Sequence, residues 1–131
     1  MVLLRFRAWH KTWEEMCEVK RIRFDDEGNI ITVLVKGEAF GSNAHLEEIK
    51  LMQSTGLFDK NGKEIFEKDI LDYNGRKAIV KWHGSYASFI YEFVDELQNR
   101  TTEWQPLYLS YYKFEIIGNI YENPELSEEK Q

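Results

Sequence analysis

Short stretches of the chain alternate apolar and polar residues with period two, which sends successive side chains to opposite faces of a strand. At the start, Leu4, Phe6 and Ala8 share one face and Arg5, Arg7 and Trp9 the other. Ile22 and Phe24 lead into a turn at Asp25-Asp26-Glu27-Gly28-Asn29. The β-branched run Ile30-Ile31-Thr32-Val33-Leu34-Val35 follows, which together reads as a hairpin with a longer loop. Residues 37–43, with Gly37, Gly41, Ser42 and Asn43, have turn chemistry without a periodic apolar pattern, so the subdomain boundary is expected near residue 45.

Beyond it, Leu46, Ile49 and Met52 fit a helical spacing while Ile49, Leu51 and Gln53 fit a strand, and a one-turn helix leading into a strand satisfies both. Asn61-Gly62 and Asn74-Gly75 are the strongest turn signals, each suited to a type I′ turn. Around the second, Ala78, Val80 and Trp82 fall on one face and Lys77, Ile79 and Lys81 on the other, which makes Trp82 a core candidate. A strand through Phe89, Tyr91 and Phe93 precedes a polar stretch over residues 95–103, and Pro106 can open a short helical turn. The last strand spans about residues 114–121, with Phe114, Ile116 and Ile120 on one face. Gly118 inside it signals a bulge or a close backbone approach. Val80, Phe89, Phe93 and Ile116 are the expected core. The pattern therefore predicts a mostly β protein: a small β-rich self-association subdomain over residues 1–45, a C-terminal SH3-like open β-barrel over 46–122, and an acidic, frayed tail over 123–131. An open sheet is the alternative to the barrel.

Composition narrows the function. With 131 residues, nineteen aromatics and 43% hydrophobic residues, the chain can bury a core, and its length excludes a large two-domain enzyme. The apolar runs are too short to span a bilayer, so no membrane role is expected. The single Cys17 cannot close an intrachain disulfide, and the expected compartment is cytosolic. Nucleotide-binding glycine loops are missing, and the glycines fall in turns. His10, His45 and His83 lie far apart in sequence and Cys17 has no cysteine partner, so neither metal nor cofactor is expected; Cys17 reads as a small buried hydrophobe. The paired glutamates read as solvated charge, and no catalytic residue stands out.

Charge is uneven. The net charge is −6, yet residues 1–24 carry +3 and residues 84–131 carry −6. Arg5, Arg7 and Trp9 on one strand face, with Trp13, Arg21 and Arg23 nearby, form the candidate interaction surface. Cations interleaved with aromatics can grip a single strand of nucleic acid, but the net charge opposes approach to a polyanion. Self-association, basic end against the acidic end of another copy, ranks ahead. The run at residues 30–35 also offers apolar side chains to both faces, which a lone hairpin cannot cover.

Two stretches carry a resemblance. Residues 51–70, through Ser54-Thr55-Gly56-Leu57-Phe58-Asp59-Lys60-Asn61-Gly62 to Asp69-Ile70, and residues 114–126, through Ile116-Ile117-Gly118-Asn119-Ile120-Tyr121-Glu122-Asn123-Pro124, are similar to signatures of the YopX-like family of phage and prophage proteins. Arg5-Phe6-Arg7-Ala8-Trp9 resembles that family's start. The match departs at Lys68, where the family usually has glycine, and at His10, where it commonly has aspartate. A lysine argues against a positive-φ turn at residue 68, and His10 argues against a required carboxylate there. The resemblance implies a small β protein of phage origin in the host cytoplasm, with an N-terminal self-associating part and a C-terminal barrel-like part. It delivers no activity and transfers no catalytic residue; shared residues that make turns and strands, with few chemical ones among them, are what a non-enzymatic binding or scaffold module with a host or phage protein partner would show. Nucleic-acid binding through the basic N-terminal strand is the alternative.

Overall fold

A computed structural model of the chain describes residues 4–94 and 104–127. They are mostly β, in two antiparallel sheets. The chain divides into two compact units, one running to Gln53 and the other from Ser54. The boundary falls inside a strand and not near residue 45, because the supposed linker carries a strand of its own.

In the first unit the strands are β1 (Phe6–His10), β2 (Glu15–Phe24), β3 (Ile30–Lys36), β4 (Gly41–Ala44) and the first half of β5 (Ile49–Phe58). They lie in the order β4-β3-β2-β1-β5. Register fixes the faces: Ala8 pairs with Cys17 and Leu51, and Val19 with Val35. Ala8, Cys17, Val33, Val35, Ala44 and Ile49 form a dry core on one face, with Trp13, Val19, Ile22, Ile30 and Leu51 packed against it. The single-turn 3₁₀ helix Leu46–Glu48 leads into β5, as the mixed spacing predicted.

The second unit contains the rest of β5, β6 (Glu64–Phe66), β7 (Asp69–Tyr73), β8 (Arg76–His83), β9 (Ser88–Phe93), β10 (Gln105–Pro106) and β11 (Glu115–Asn119). Its main sheet has the order β10-β9-β8-β7-β11 and does not close into a barrel: among the described residues β10 and β11 are its edges. The hairpin at Asn74-Gly75 takes the expected turn, both residues having positive φ. At Asn61-Gly62 only the glycine does. There the Gly62 amide donates to the Asp59 carbonyl and the Asp59 amide to the Lys63 carbonyl, so the turn is a three-residue loop with glycine in the left-handed position. Asp25–Asn29 repeats it, with Gly28 in Gly62's place.

The core of this unit is Ile65, Leu71, Ala78, Val80, Tyr91, Leu107 and Phe114. Of the four expected core residues only Val80 is fully enclosed; Phe89, Phe93 and Ile116 pack at its margin. Trp82 is not core. It lies past the end of the packed region, 47% exposed, with its ring edge-on to Phe89 at 5.0 Å. The polar stretch at 95–103 and the tail's last residues, 128–131, lie outside the described residues. Residues 123–127 are not frayed: Pro124–Leu126 is a 3₁₀ turn, and the Asn123 carboxamide accepts the Asn119 amide.

Lys68 adopts φ +70°, contrary to the expectation from its side chain. Its amide donates to the Val80 carbonyl (2.9 Å) and its carbonyl accepts from Ile120 (3.1 Å), so neighbouring strands hold it in place. A non-glycine residue pays a steric penalty there. Lys68→Gly should therefore stabilise the protein by about 0.5 to 1 kcal/mol after the unfolded-state entropy of glycine is subtracted, raising the melting temperature by a few degrees. An unchanged or lower melting temperature would show the turn to be unstrained.

Candidate functional site

The signature residues shared with the family resemblance serve the fold. Asp59, 5% exposed, accepts the Asn61 and Lys63 amides on Oδ1 (2.9 and 2.8 Å) and the Ile116 amide on Oδ2 (2.9 Å), tying the loop to β11. Burial alone would raise its pKa; those three donors and the charge of Lys63 outweigh it and hold the carboxyl below its usual range. Asn119 accepts the Tyr121 and Glu122 amides and donates to the Glu122 carboxylate (2.7 Å). Gly118 answers both readings of a mid-strand glycine: β11 shifts register there, and a Cβ would lie 2.3 Å from Asn123 Oδ1. His10 is buried, its Nδ1 accepts the Trp13 amide (3.1 Å), and its ring stacks on Trp13 at 3.9 Å. It supplies the same kind of turn acceptor that an aspartate would, so the position asks for an acceptor and not for a charge.

Cys17 lies in the core of the first unit, where burial pushes its thiol pKa up and the Glu15 carboxylate adds to the rise. Register sets it opposite Ala8, while His10 faces Glu15. No group of three or more His, Cys, Asp or Glu able to hold a metal occurs among the described residues.

The candidate surface residues separate. Arg7, Trp9, Arg21 and Arg23 fall on the sheet face opposite the core: Arg7 pairs with Glu18, Trp9 with Met16 and Lys50, Arg21 with Leu34 and Arg23 with Thr32. Arg5 precedes β1 on the same alternation and is exposed. Trp13 is on the other side, packed against the core. Strand pairing adds Lys36 and Lys50, which the linear reading left out, and places Lys20, which it counted among the N-terminal cations. Lys36 sits opposite Glu18, Lys50 opposite Trp9, and the register shift between Val19 and Arg21 leaves Lys20 as an extra residue whose ammonium pairs with Glu18 at 2.7 Å. That contact holds the Glu18 carboxyl below its usual range. Among the described residues Glu18 is the acid on this face, while the other acids of the unit stand in turns, in the 3₁₀ helix or, as with Glu15, on the core side. Lys20, Arg21, Arg23, Lys36 and Lys50 are exposed; Arg7 and Trp9 are half-buried. A unit of net charge −1 thus gathers its cations, Lys11 in the β1–β2 turn excepted, on one sheet face, and the unit from Ser54 onward carries −5. Sequence spacing could have suggested this only if the registers of β2 with β3 and of β1 with β5 were known.

The apolar residues of β3 differ in how far the chain itself covers them, and Ile31 stays 43% exposed. Val33 and Val35 are completely buried by the chain itself, and Leu34 is half-buried. The exposed apolar side chains of this unit are scattered over loops and strand ends, including Leu4, Phe24, Phe40 and Leu46.

These observations define a small protein of two antiparallel sheets whose recurrent motifs make turns and strand ends. The chain matches the family model described as YopX protein over residues 5–128, and it belongs to that family. It is similar to the crystal structure of protein EF1440 from Enterococcus faecalis, with 33% sequence identity over 98% of this chain and 100% of that one, at a TM-score of 0.67. No curated protein matches it significantly. No helix among the described residues is long and apolar enough to cross a membrane.

Proposed function

We propose that this chain is a non-enzymatic binding module of phage or prophage origin, acting in the host cytoplasm, whose cationic sheet face docks on an acidic protein surface, in the first instance that of a second copy. The observation that carries this is the sorting of charge: five exposed cations and one exposed acid lie on a single sheet face. Opposed patches of this kind steer association and fix register. The second unit, with its −5, supplies a complementary surface on another copy, and a host or phage protein with an acidic face would compete for it. Five short antiparallel strands, with tight links from β7 to β8 and from β8 to β9, support an SH3-like reading of that unit as a recognition body.

Nucleic acid is the second reading, favoured by the number of cations. Against it, Trp13 has left the face, so stacking of successive bases loses one of its two platforms. Reversing Arg21→Glu and Arg23→Glu, both exposed, should convert the assembly to monomer by light scattering, and assembly of the unaltered protein should weaken as salt rises. A monomer at every salt concentration would refute self-association. Tight oligonucleotide binding with a log-log salt slope of about −0.7 per neutralised phosphate, lost in the double variant, would establish the second reading instead.

A further inference from the structure

Asn61-Gly62 and Asn74-Gly75 are the Asn-Gly pairs of the sequence, and in each the asparagine carboxamide precedes a residue with no Cβ to shield its amide nitrogen. That nitrogen and the carboxamide carbon are reactants already tethered in one chain. The fold treats the two pairs differently.

At the first pair both reacting groups are engaged. The Gly62 amide donates to the Asp59 carbonyl at 3.0 Å, and the Asn61 carboxamide donates to Glu115 Oε2 at 3.3 Å. The Asn61 amide is itself held by Asp59 Oδ1 at 2.9 Å, so the loop must come apart before the Gly62 nitrogen reaches the carboxamide carbon. At the second pair neither group is engaged. Among the described residues nothing accepts from the Gly75 amide, and the Asn74 carboxamide has no hydrogen-bond partner. Residues 73–76 are all exposed, and the strand pairing runs out at Tyr73 and Arg76. In the closed turn Asn74 and Gly75 have φ of 52° and 86°, so attack requires the tip to open. Opening there disturbs only the end of the hairpin, where protection is least.

We propose that Asn74 is a site of spontaneous deamidation in the folded protein, converted with age to aspartate and isoaspartate, while Asn61 is protected. The Gly75 nitrogen forms a bond to Asn74 Cγ, the bond from Cγ to the carboxamide nitrogen breaks, and that nitrogen leaves as ammonia with the proton Gly75 gives up. Water then opens the succinimide at either carbonyl, and the turn gains one negative charge. Addition at Cγ yields aspartate, and the resulting Asp-Gly pair suits the same type I′ turn. Addition at the main-chain carbonyl yields isoaspartate, which routes the backbone through the side chain and inserts a methylene. A two-residue turn sets the register of Asp72 with Lys77 and of Leu71 with Ala78, so the longer backbone loosens β7 against β8 beside two core residues. The site is separate from the cationic face of the first unit and does not depend on how that face is used.

The test is incubation of the full chain in mildly alkaline buffer, then cleavage after glutamate and mass spectrometry, which reads Asn61 and Asn74 on separate peptides, residues 49–64 and 68–92. In the native protein Asn74 should react at least about tenfold faster than Asn61, which must give up two hydrogen bonds first. In concentrated urea the two rates should converge, because both pairs then lack tertiary bonds. Glu115→Ala, which frees the Asn61 carboxamide, should raise the rate at Asn61 about two- to fivefold. No reaction at Asn74, or native rates that are equal, would overturn the proposal, and a ratio that persists in urea would overturn its structural cause. Asn74→Asp should melt within about 2 °C of the unaltered protein, whereas the isoaspartyl form, isolated by chromatography, should melt several degrees lower. An isoaspartyl form that melts with the unaltered protein would overturn the effect on the hairpin.

Discussion

Phe114→Ala is expected to cost about 3 to 5 kcal/mol, the largest loss from any single truncation in the second unit. Phe114 is among the largest fully buried side chains, and its ring meets Tyr91, Tyr73 and Phe93 at 4.8, 5.9 and 6.5 Å. Removing it opens a cavity bounded by rings that cannot readily collapse into it, since Tyr91 and Phe93 are held on β9 and Tyr73 on β7. Globular proteins have only about 5 to 15 kcal/mol in total, so the variant should unfold at much lower urea concentration, with the slope unchanged if folding stays two-state. Tyr112→Ala, two residues away and 57% exposed, is the control and should cost under about 0.5 kcal/mol. Equal effects at the two positions would mean that Phe114 does not anchor the core.

Asp59→Ala is the second large effect, at about 3 kcal/mol or more. One buried carboxylate answers three backbone amides, and bonds to a charged group contribute about 1.5 to 3 kcal/mol each, net of exchange with water. Two of those amides belong to the loop and can find solvent; the Ile116 amide, 57 residues away, is the costly one. The pH dependence follows from the depressed pKa. Above the unfolded-state value of about 3.9 the stabilisation is complete, and it is lost as pH falls through the lower folded-state value. The stability gap between the unaltered protein and Asp59→Asn should therefore be widest near neutral pH and should shrink below about pH 4. A gap that stays constant down to pH 2 would show that the charge of Asp59 contributes nothing.

The pattern of Asp59 shows how far a linear reading reaches. Asn61-Gly62 marked a turn correctly, but the type followed from the aspartate two residues earlier, whose carboxylate captures the Asn61 and Lys63 amides. Asp25 does the same for Glu27 and Asn29, so an aspartate three residues before a glycine was the available signal in both loops. At Lys68 the side chain misled, because the backbone there is set by bonds to Val80 and Ile120 and not by local preference. Trp82 misled differently. Alternation placed it on the core face, but the core ends at Val80, and only the packed sheet shows where its filled region stops.

The sequence by itself determined the β content, the positions of most strands and turns, the one-turn helix entering β5, and membership in the YopX family, because these depend on local periodicity, turn residues and extended motifs. It did not determine how far Phe89, Phe93 and Ile116 would be buried, whether the C-terminal strands would close, or which charges would meet. Those depend on register between strands distant in sequence, and a slip of one residue moves every side chain to the other face. The bulge at Lys20 and the pairing of β5 with β1 are what bring Lys20 and Lys50 to the face of Arg7 and Arg21, while the contact with His10 carries Trp13 to the opposite side.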